Sequence, residues 1–533
     1  MKIVSYNSNP RNKTLVIISG LAVIVLFALL IHPRSFNVSD VDVFYHIRHS
    51  WIYSQNGLTF SEFPWTQFSV IKEYSADLWY GFHVLSVPLT YFNNLLDGMW
   101  VGGLIVTTSA LLIIWFALRR LPIKWPLLLT LIISLLSADF LYRLTMFRPH
   151  PITVGLTLLL FSFFCMPAKR MWISVFIASF FFAWMHLSLA WVPIAVWIAI
   201  NFSQLLQKAG IDWRQGLSMT LGLTLGLVLR PNPIGAIKLA YVQVLQLLTE
   251  KQSHLPLSFG QELLPLAAGT IKDQLIPILV LFAGTLFFWL GFFLKKKWNL
   301  LPAHTRHITF SSFIVSVVFF VLALTIARRS IDFFVPFAVI FFAVTFSSID
   351  KEVRQIILGK AYRAIIFIVI AVIIFGSVKN YSRFRSFIPH AFSPERFQDV
   401  GLWMKSNLPA KKTVFVSQWD YFPELFFWNH NNYYINGMDP IFEFTFSPSL
   451  YWKTHFLATD TFFIDNGIAK ICGEVGCTAD NIEDVKIIIK QDFDADYLFI
   501  DKEINPKLFE FVRNASGFSK LYENSRAAIY KVL

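Results

Sequence analysis

Ser39-Asp40-Val41-Asp42-Val43-Phe44-Tyr45-His46-Ile47-Arg48 follows directly on the first long apolar run of the chain, and its reading decides the rest. A D-x-D-x-x-Y-H-x-R string just outside a membrane helix puts carboxylates where a charged donor at the bilayer surface can be met. It points to a membrane-embedded transferase. The bland alternative is that Asp40 and Asp42 cap a surface helix beginning near Val43, since Asp is a good N-cap. A cap needs only one of them and leaves the tyrosine, histidine and arginine that follow unexplained.

Composition fixes the class around this string. The chain has 533 residues, 55% of them hydrophobic and 15% charged, with 56 Phe and 17 Trp. Its mean hydropathy is +0.55, the profile of a polytopic membrane protein. A formal charge of +13 would suit nucleic acid if it lay on one basic face, but Lys and Arg stand in short clusters between apolar runs. They read as topology signals, and no nucleic-acid partner is expected.

Runs long enough to cross about 30 Å of hydrocarbon lie near 15–32, 98–118, 126–141, 151–166, 171–186, 188–206, 216–230, 272–294, 308–326, 331–348 and 364–380. Segment 77–96 is apolar too, but charge placement argues against a twelfth span. With the amino terminus inside and 77–96 on the outer face, inner loops hold about 18 Lys/Arg in about 61 residues and outer segments about 9 in about 119, as the positive-inside rule requires. A twelfth span would put Lys295-Lys296-Lys297 outside. The first run is too long, and its flank too unlike a cleavage site, for a removable signal peptide.

These signals divide the chain into a transmembrane domain of about 11 spans over 1–381, with an outer loop at 33–97, and an extracytoplasmic α/β domain over 382–533. In the second, period-2 strands such as Thr413-Val414-Phe415-Val416-Ser417 and Tyr497-Leu498-Phe499-Ile500 alternate with helical stretches. Cys472 and Cys477 are either a small disulfide of an oxidising compartment or two unrelated thiols, and Cys165 packs within a span. No internal repeat or Gly-rich phosphate loop stands out, which disfavours a nucleotide-driven pump.

Polar residues on the outer side gather at span ends: Arg143, Arg148 and His150 at one turn, His186 and Arg230 at two others, His254 and Glu262 in the 231–271 loop, and Arg328, Arg329 and Asp332 in a short turn. Charges at membrane depth are costly and mark a substrate path. Clustered arginines suit a phosphate, whose oxygens the guanidinium fork bonds bidentately. The competing reading is that Arg328 and Arg329 snorkel to lipid headgroups and that His186 is a hydrogen-bonded helix end.

The order of first span, long outer loop opening with D-x-D-x-x-Y-H-x-R, then a surface-helix segment resembles the GT-C superfamily of polyprenyl-phosphate-dependent glycosyltransferases. Some catalytic subunits of oligosaccharyltransferase carry a similar D-P-x-Y-H-x-R string whose essential aspartate stands four residues before the histidine, the spacing of Asp42 and His46. Val416-Ser417-Gln418-Trp419-Asp420-Tyr421 resembles their W-W-D-Y-G motif, with Gln418 for the first Trp and Phe422 for the Gly. Asp40 to Asp77, Phe147-Arg148-Pro149-His150, Asn232-Pro233-Ile234-Gly235, Glu262 and Arg328-Arg329 resemble uncharacterised bacterial multi-span proteins of GT-C type over most of the membrane domain.

The resemblance implies a polytopic α-helical membrane protein of GT-C type in a cell membrane. It would move a sugar or glycan from a polyprenyl-phosphate or pyrophosphate donor to a protein, lipid or glycan acceptor on the outer side. Asp42, with Asp40 second, would be the base or a metal-anchored positioning group. His46, Arg48, Arg148, His150, Glu262, Arg328, Arg329, Trp419 and Asp420 would bind substrate, the arginines meeting the departing phosphate. Asp40, Asp42 and Glu262 could hold Mg²⁺ or Mn²⁺ through oxygen ligands. The rivals are a transporter or flippase of a lipid-linked or anionic substrate, which would also place arginines in a membrane cavity, and a non-catalytic membrane scaffold.

Overall fold

The computed structural model describes residues 10–38, 40–166, 170–208, 210–252, 257–294, 301–347, 360–475 and 485–533. Lys295-Lys296-Lys297, His254 and Cys477, half of the expected cysteine pair, lie outside the described residues; Cys165 is a free, buried thiol.

Each apolar run carries helix, but not all of it is long enough to cross a bilayer. Among the described residues seven helices are long and apolar enough: Thr14–Ile31, Leu95–Arg120, Leu187–Leu206, Ala268–Gly291, Ala303–Thr325, Arg328–Ser347 and Phe367–His390. The run at 126–141 is instead two helices, Pro126–Leu135 and Ala138–Leu144, bent by 104°. Ser137 makes the break: it is extended at φ −145° and its hydroxyl accepts from Phe140 N–H, starting a new helix. The runs at 151–166, 171–186 and 216–230 are the helices His150–Cys165, Met171–Met185 and Trp213–Val228, of 16, 15 and 16 residues. At 1.5 Å per residue such helices rise about 24 Å, short of a hydrocarbon core of about 30 Å. Gly222 and Gly226 bring Trp213–Val228 against Met171–Met185, since a Cβ at either would stand 2.4 or 2.5 Å from the carbonyl oxygen of Phe176 or Phe180, the close approach of a small-xxx-small stripe.

Segment 77–96 forms the helix Tyr80–Ser86 and a 3₁₀ turn Val87–Tyr91, neither of membrane-crossing length.

The carboxyl-terminal region builds a five-stranded sheet from β1 (Thr413–Val416), β2 (Tyr433–Tyr434), β3 (Tyr497–Asp501), β4 (Phe518–Glu523) and β5 (Ala527–Val532), in the order β2-β1-β3-β5-β4. The β1 pairings with β2 and β3 are parallel; those of β5 with β3 and β4 are antiparallel. Every residue of β3 is buried, as befits a strand covered on both faces. The 33–97 loop extends the sheet beyond β2: Tyr434 N–H donates to Trp65 O at 2.8 Å and Gln67 N–H returns to Tyr434 O at 2.7 Å. Arg48 adds a second tie, bonding Phe427 O and lying over the Trp51 and Phe427 rings at 4.9 and 5.2 Å. The string that opens the 33–97 loop is thereby fastened to the α/β region.

Candidate active site

The chain leaves its first helix at Ile31 and re-enters helix at Asp42–Asn56. Asp40 starts that helix, its Oδ1 accepting Asp42 N–H at 2.9 Å. One aspartate therefore does the local structural work and the carboxylate of the other is left for other partners. Both reach Arg148, which stands on the turn before His150–Cys165. Nη1 of Arg148 bonds Asp40 Oδ2 and lies 3.7 Å from Glu262 Oε2, while Nη2 is 3.1 Å from Asp42 Oδ2. Glu262 in turn faces Arg329 Nη1 at 3.8 Å, that guanidinium's only ion pair among the described residues. The five side chains are 13–25% exposed, so the cluster is recessed yet open.

Glu262 is held from two sides. It lies in the 3₁₀ turn Gln261–Leu263. Beyond that turn, Leu266 N–H bonds Ala323 O at 2.9 Å and Arg328 N–H bonds Leu264 O at 2.8 Å. Before it, the α/β region grips Ser258: Trp419 Nε1 donates to its carbonyl at 3.0 Å, Tyr451 Oη accepts from its N–H at 3.1 Å, and His455 Nδ1 lies 3.2 Å from its hydroxyl.

Burial and the neighbouring Asp40 push the Asp42 carboxyl well above its usual range, Arg148 opposing them. Asp40 is raised for the same first reason. Burial works against charge at Glu262 also, but Arg148, Arg329 and Arg143 outweigh it and hold that carboxyl at about 2. The cluster thus sets a fixed anion beside a carboxyl whose proton affinity is raised.

Other expected residues are placed elsewhere. Arg328 forks onto Asp139, with Nη2 to Oδ1 at 2.7 Å. Asp332 is fully buried between Arg143, whose Nη2 donates at 2.9 Å, and His150 Nε2 at 2.7 Å. Arg230 spends its donors on the carbonyls of Asp77, Ala183 and Gly226. His46 Nδ1 lies 2.8 Å from His83 Nε2, and His83 Nδ1 lies 2.6 Å from Asp77, which also accepts from Tyr53 Oη at 3.1 Å. Asp420 is half-buried near Arg396 and Asp501 in the α/β region. Sequence reasoning missed Asp439, which caps the helix Pro440–Phe446 and lies in the field of Arg329, Glu262 and Lys251; burial lifts its carboxyl to about 7. Its one signal was an Asp-Pro helix start.

The oxygen donors of a hard divalent ion are present in Asp40, Asp42 and Glu262. A guanidinium already touches all three. Among the described residues, the acid and imidazole groups whose ligand atoms lie within 4.8 Å of one another are His49, Asp77 and His83 instead. The three-carboxylate set therefore does not fit a metal as it stands.

No family model and no curated protein matches the sequence. Solved structures do match by fold. An oligosaccharyltransferase of Archaeoglobus fulgidus, tethered to an acceptor peptide containing the NVT sequon, superposes with TM-score 0.57 at 12% identity, over 97% of this chain and 74% of that one. ArnT of Cupriavidus metallidurans bound to undecaprenyl phosphate gives 0.51 at 12%, over 97% and 98%. The arabinofuranosyltransferase AftD from Mycobacteria gives 0.52 at 11%, over 99% of this chain but 40% of that one. The expected GT-C fold is the fold of this chain, a helical multi-pass membrane protein with a small carboxyl-terminal sheet.

Proposed function

We propose that this protein is a membrane glycosyltransferase that moves a sugar from a polyprenyl-phosphate or pyrophosphate donor to an acceptor on the outer side of the membrane. The observation that carries the reading is the single recessed cluster of Asp40, Asp42, Arg148, Glu262 and Arg329, with the α/β region gripping the loop of Glu262. Fold alone does not give function, so the argument rests on what those groups can do.

Transfer needs a base for the acceptor nucleophile and positive charge where the phosphate departs. Asp42 is the base. Its proton affinity is raised by burial and by Asp40, which suits a carboxylate that must take a proton during the reaction. Arg329, with one ion pair at 3.8 Å, has donors to spare for phosphate oxygens. Arg148 holds Asp42 and Asp40 in place, and Glu262 orients both guanidinium groups. Arg328 and His150 act at one remove, fixing the turns that carry Arg329 and Arg148. Trp419 sets the loop of Glu262, so an acceptor bound to the α/β region would sit beside the cluster. In this reading the bent run and the three shorter helices lie in the membrane with the seven long ones, about eleven membrane segments in all, and both the 33–97 loop and residues 382–533 face outward.

Purified protein incubated with polyprenyl-linked sugars should release the lipid phosphate, and Asp42→Asn should stop it. Equal release by wild type and Asp42→Asn, at equal folded protein, would defeat the reading.

A further inference from the structure

Three acidic side chains converging at a membrane face would ordinarily need a cation between them. Their mutual repulsion, in a site shielded from water, is too costly to leave unbalanced. Here the balance comes from the chain. Arg148 reaches Asp40 and Glu262 through Nη1 and Asp42 through Nη2, at 3.7 Å for Glu262 and 3.1 Å for Asp42. Its side chain is 13% exposed against 18–25% for the acids, so the arginine is more buried than any of the carboxylates it pairs with.

Rigidity adds to this. Arg148 stands between Met146, whose carbonyl accepts its N–H at 2.9 Å, and Pro149, the N-cap of the next helix. A second guanidinium, Arg329, approaches Glu262 from the other side. A divalent ion entering the set would meet a fixed positive charge at ion-pair distance from each of its ligands, and could bind only by displacing it.

We infer that Arg148, with Arg329 supplying the second charge, occupies the place of a divalent cation, so that Asp40, Asp42 and Glu262 are offset from within the chain as far as one such ion would offset them, and take up no Mg²⁺ or Mn²⁺. The inference rests on the reading of this cluster as the active site and deepens it. A guanidinium orients carboxylates through directed hydrogen bonds, where a metal would polarise a bound oxygen. The acceptor would then be activated by Asp42 alone.

Mn²⁺ binding to the purified full-length protein, followed by electron paramagnetic resonance, tests this without any transfer reaction, so that failure of the proposed activity and failure of this inference are separate results. Up to about 1 mM Mn²⁺, the weak end of the range for oxygen-ligand divalent sites, wild type and Asp42→Asn should bind the same amount. Arg148→Gln keeps much of the size and removes the charge. It should open a saturable site about tenfold or more tighter than any in wild type, which Asp42→Asn on the same background abolishes. Saturable binding by wild type that Asp42→Asn or Glu262→Gln removes would overturn the inference. So would a folded Arg148→Gln protein that gains no site. If Arg148→Gln does not fold, the comparison of wild type with Asp42→Asn decides alone.

Discussion

Asp42 and Asp77 belong to the same 33–97 loop, and their surroundings could hardly differ more. Asp77 is closed: its carboxylate takes His83 at 2.6 Å, Tyr53 at 3.1 Å and the Trp79 N–H at 2.8 Å. Burial opposes its charge, yet His83 and His49 hold it below the usual carboxylate range. Asp42 is open: its side chain is 18% exposed and it shares one arginine with two other acids. A carboxylate whose hydrogen bonds are complete holds a fold together, and one left partly exposed and raised in proton affinity is available for chemistry. The sharpest way to break this contrast is to neutralise each in turn. Asp42→Asn should lower transfer by about 10²–10⁴-fold, the range for a lost general base, at an unchanged thermal midpoint. Asp77→Asn should lower the midpoint, at a cost of about 1–3 kcal/mol for strained buried partners, with turnover per folded molecule retained. A reversed pattern would exchange the two roles.

The adjacent arginines repeat the contrast one step further out. Arg329→Gln should reduce transfer by about 10²–10³-fold, as for a lost oxyanion donor. Arg328→Gln should instead act on stability, since it leaves Asp139 buried without its fork, a loss of about 3–5 kcal/mol. Turnover of the two variants, compared at equal folded protein, separates phosphate binding from scaffolding.

A pH profile tests the same assignment more gently. Because burial and Asp40 raise Asp42, its basic form is lost as the pH falls through a value above the ordinary carboxylate range. The acid limb of kcat/KM should therefore lie well above pH 4, where Glu262, held at about 2, stays ionised. A limb at the usual carboxylate position would remove Asp42 from the base role.

The smallest effect is expected in the α/β region. Burial lifts Glu443 to about 7 even though it accepts from Asn436 at 2.6 Å and Thr454 at 2.7 Å. The folded protein holds that proton more tightly than the unfolded chain, so this contribution to stability is fully present below about pH 4.5 and is lost as the pH rises through about 7. Thermal midpoints should fall between pH 5 and pH 8, with a shallower slope in Glu443→Gln. Equal slopes would place the titration elsewhere.

How far the sequence can be read follows from the range over which each interaction acts. Asp40 and Asp42 were visible because local spacing after a membrane exit defines them, Arg148 and Arg329 because charge at a span end needs a reason, and Glu262 only through the family resemblance. The partner of Arg328 was hidden because Asp139 lies 189 residues away. His46 stands one turn from Asp42, and the helical period favours a shared face. Only the fold reveals that His83 claims its ring. The bend at Ser137 was hidden for another reason: it interrupts the Leu- and Ile-rich run with neither Gly nor Pro, the usual punctuation. Asp439 shows the general limit, being an unremarkable Asp-Pro helix start until packing brings it near Glu262.

The central claim, that the Asp42 cluster is where a lipid-linked sugar reacts, is tested most directly by a cryo-EM structure in lipid nanodiscs with a non-transferable polyprenyl-phosphosugar analogue. The account predicts phosphate oxygens within hydrogen-bond distance of Arg329 and the anomeric carbon facing Asp42. Phosphate density held elsewhere, with Arg329 still on Glu262 and the Asp42 carboxylate out of reach of the sugar, would contradict it.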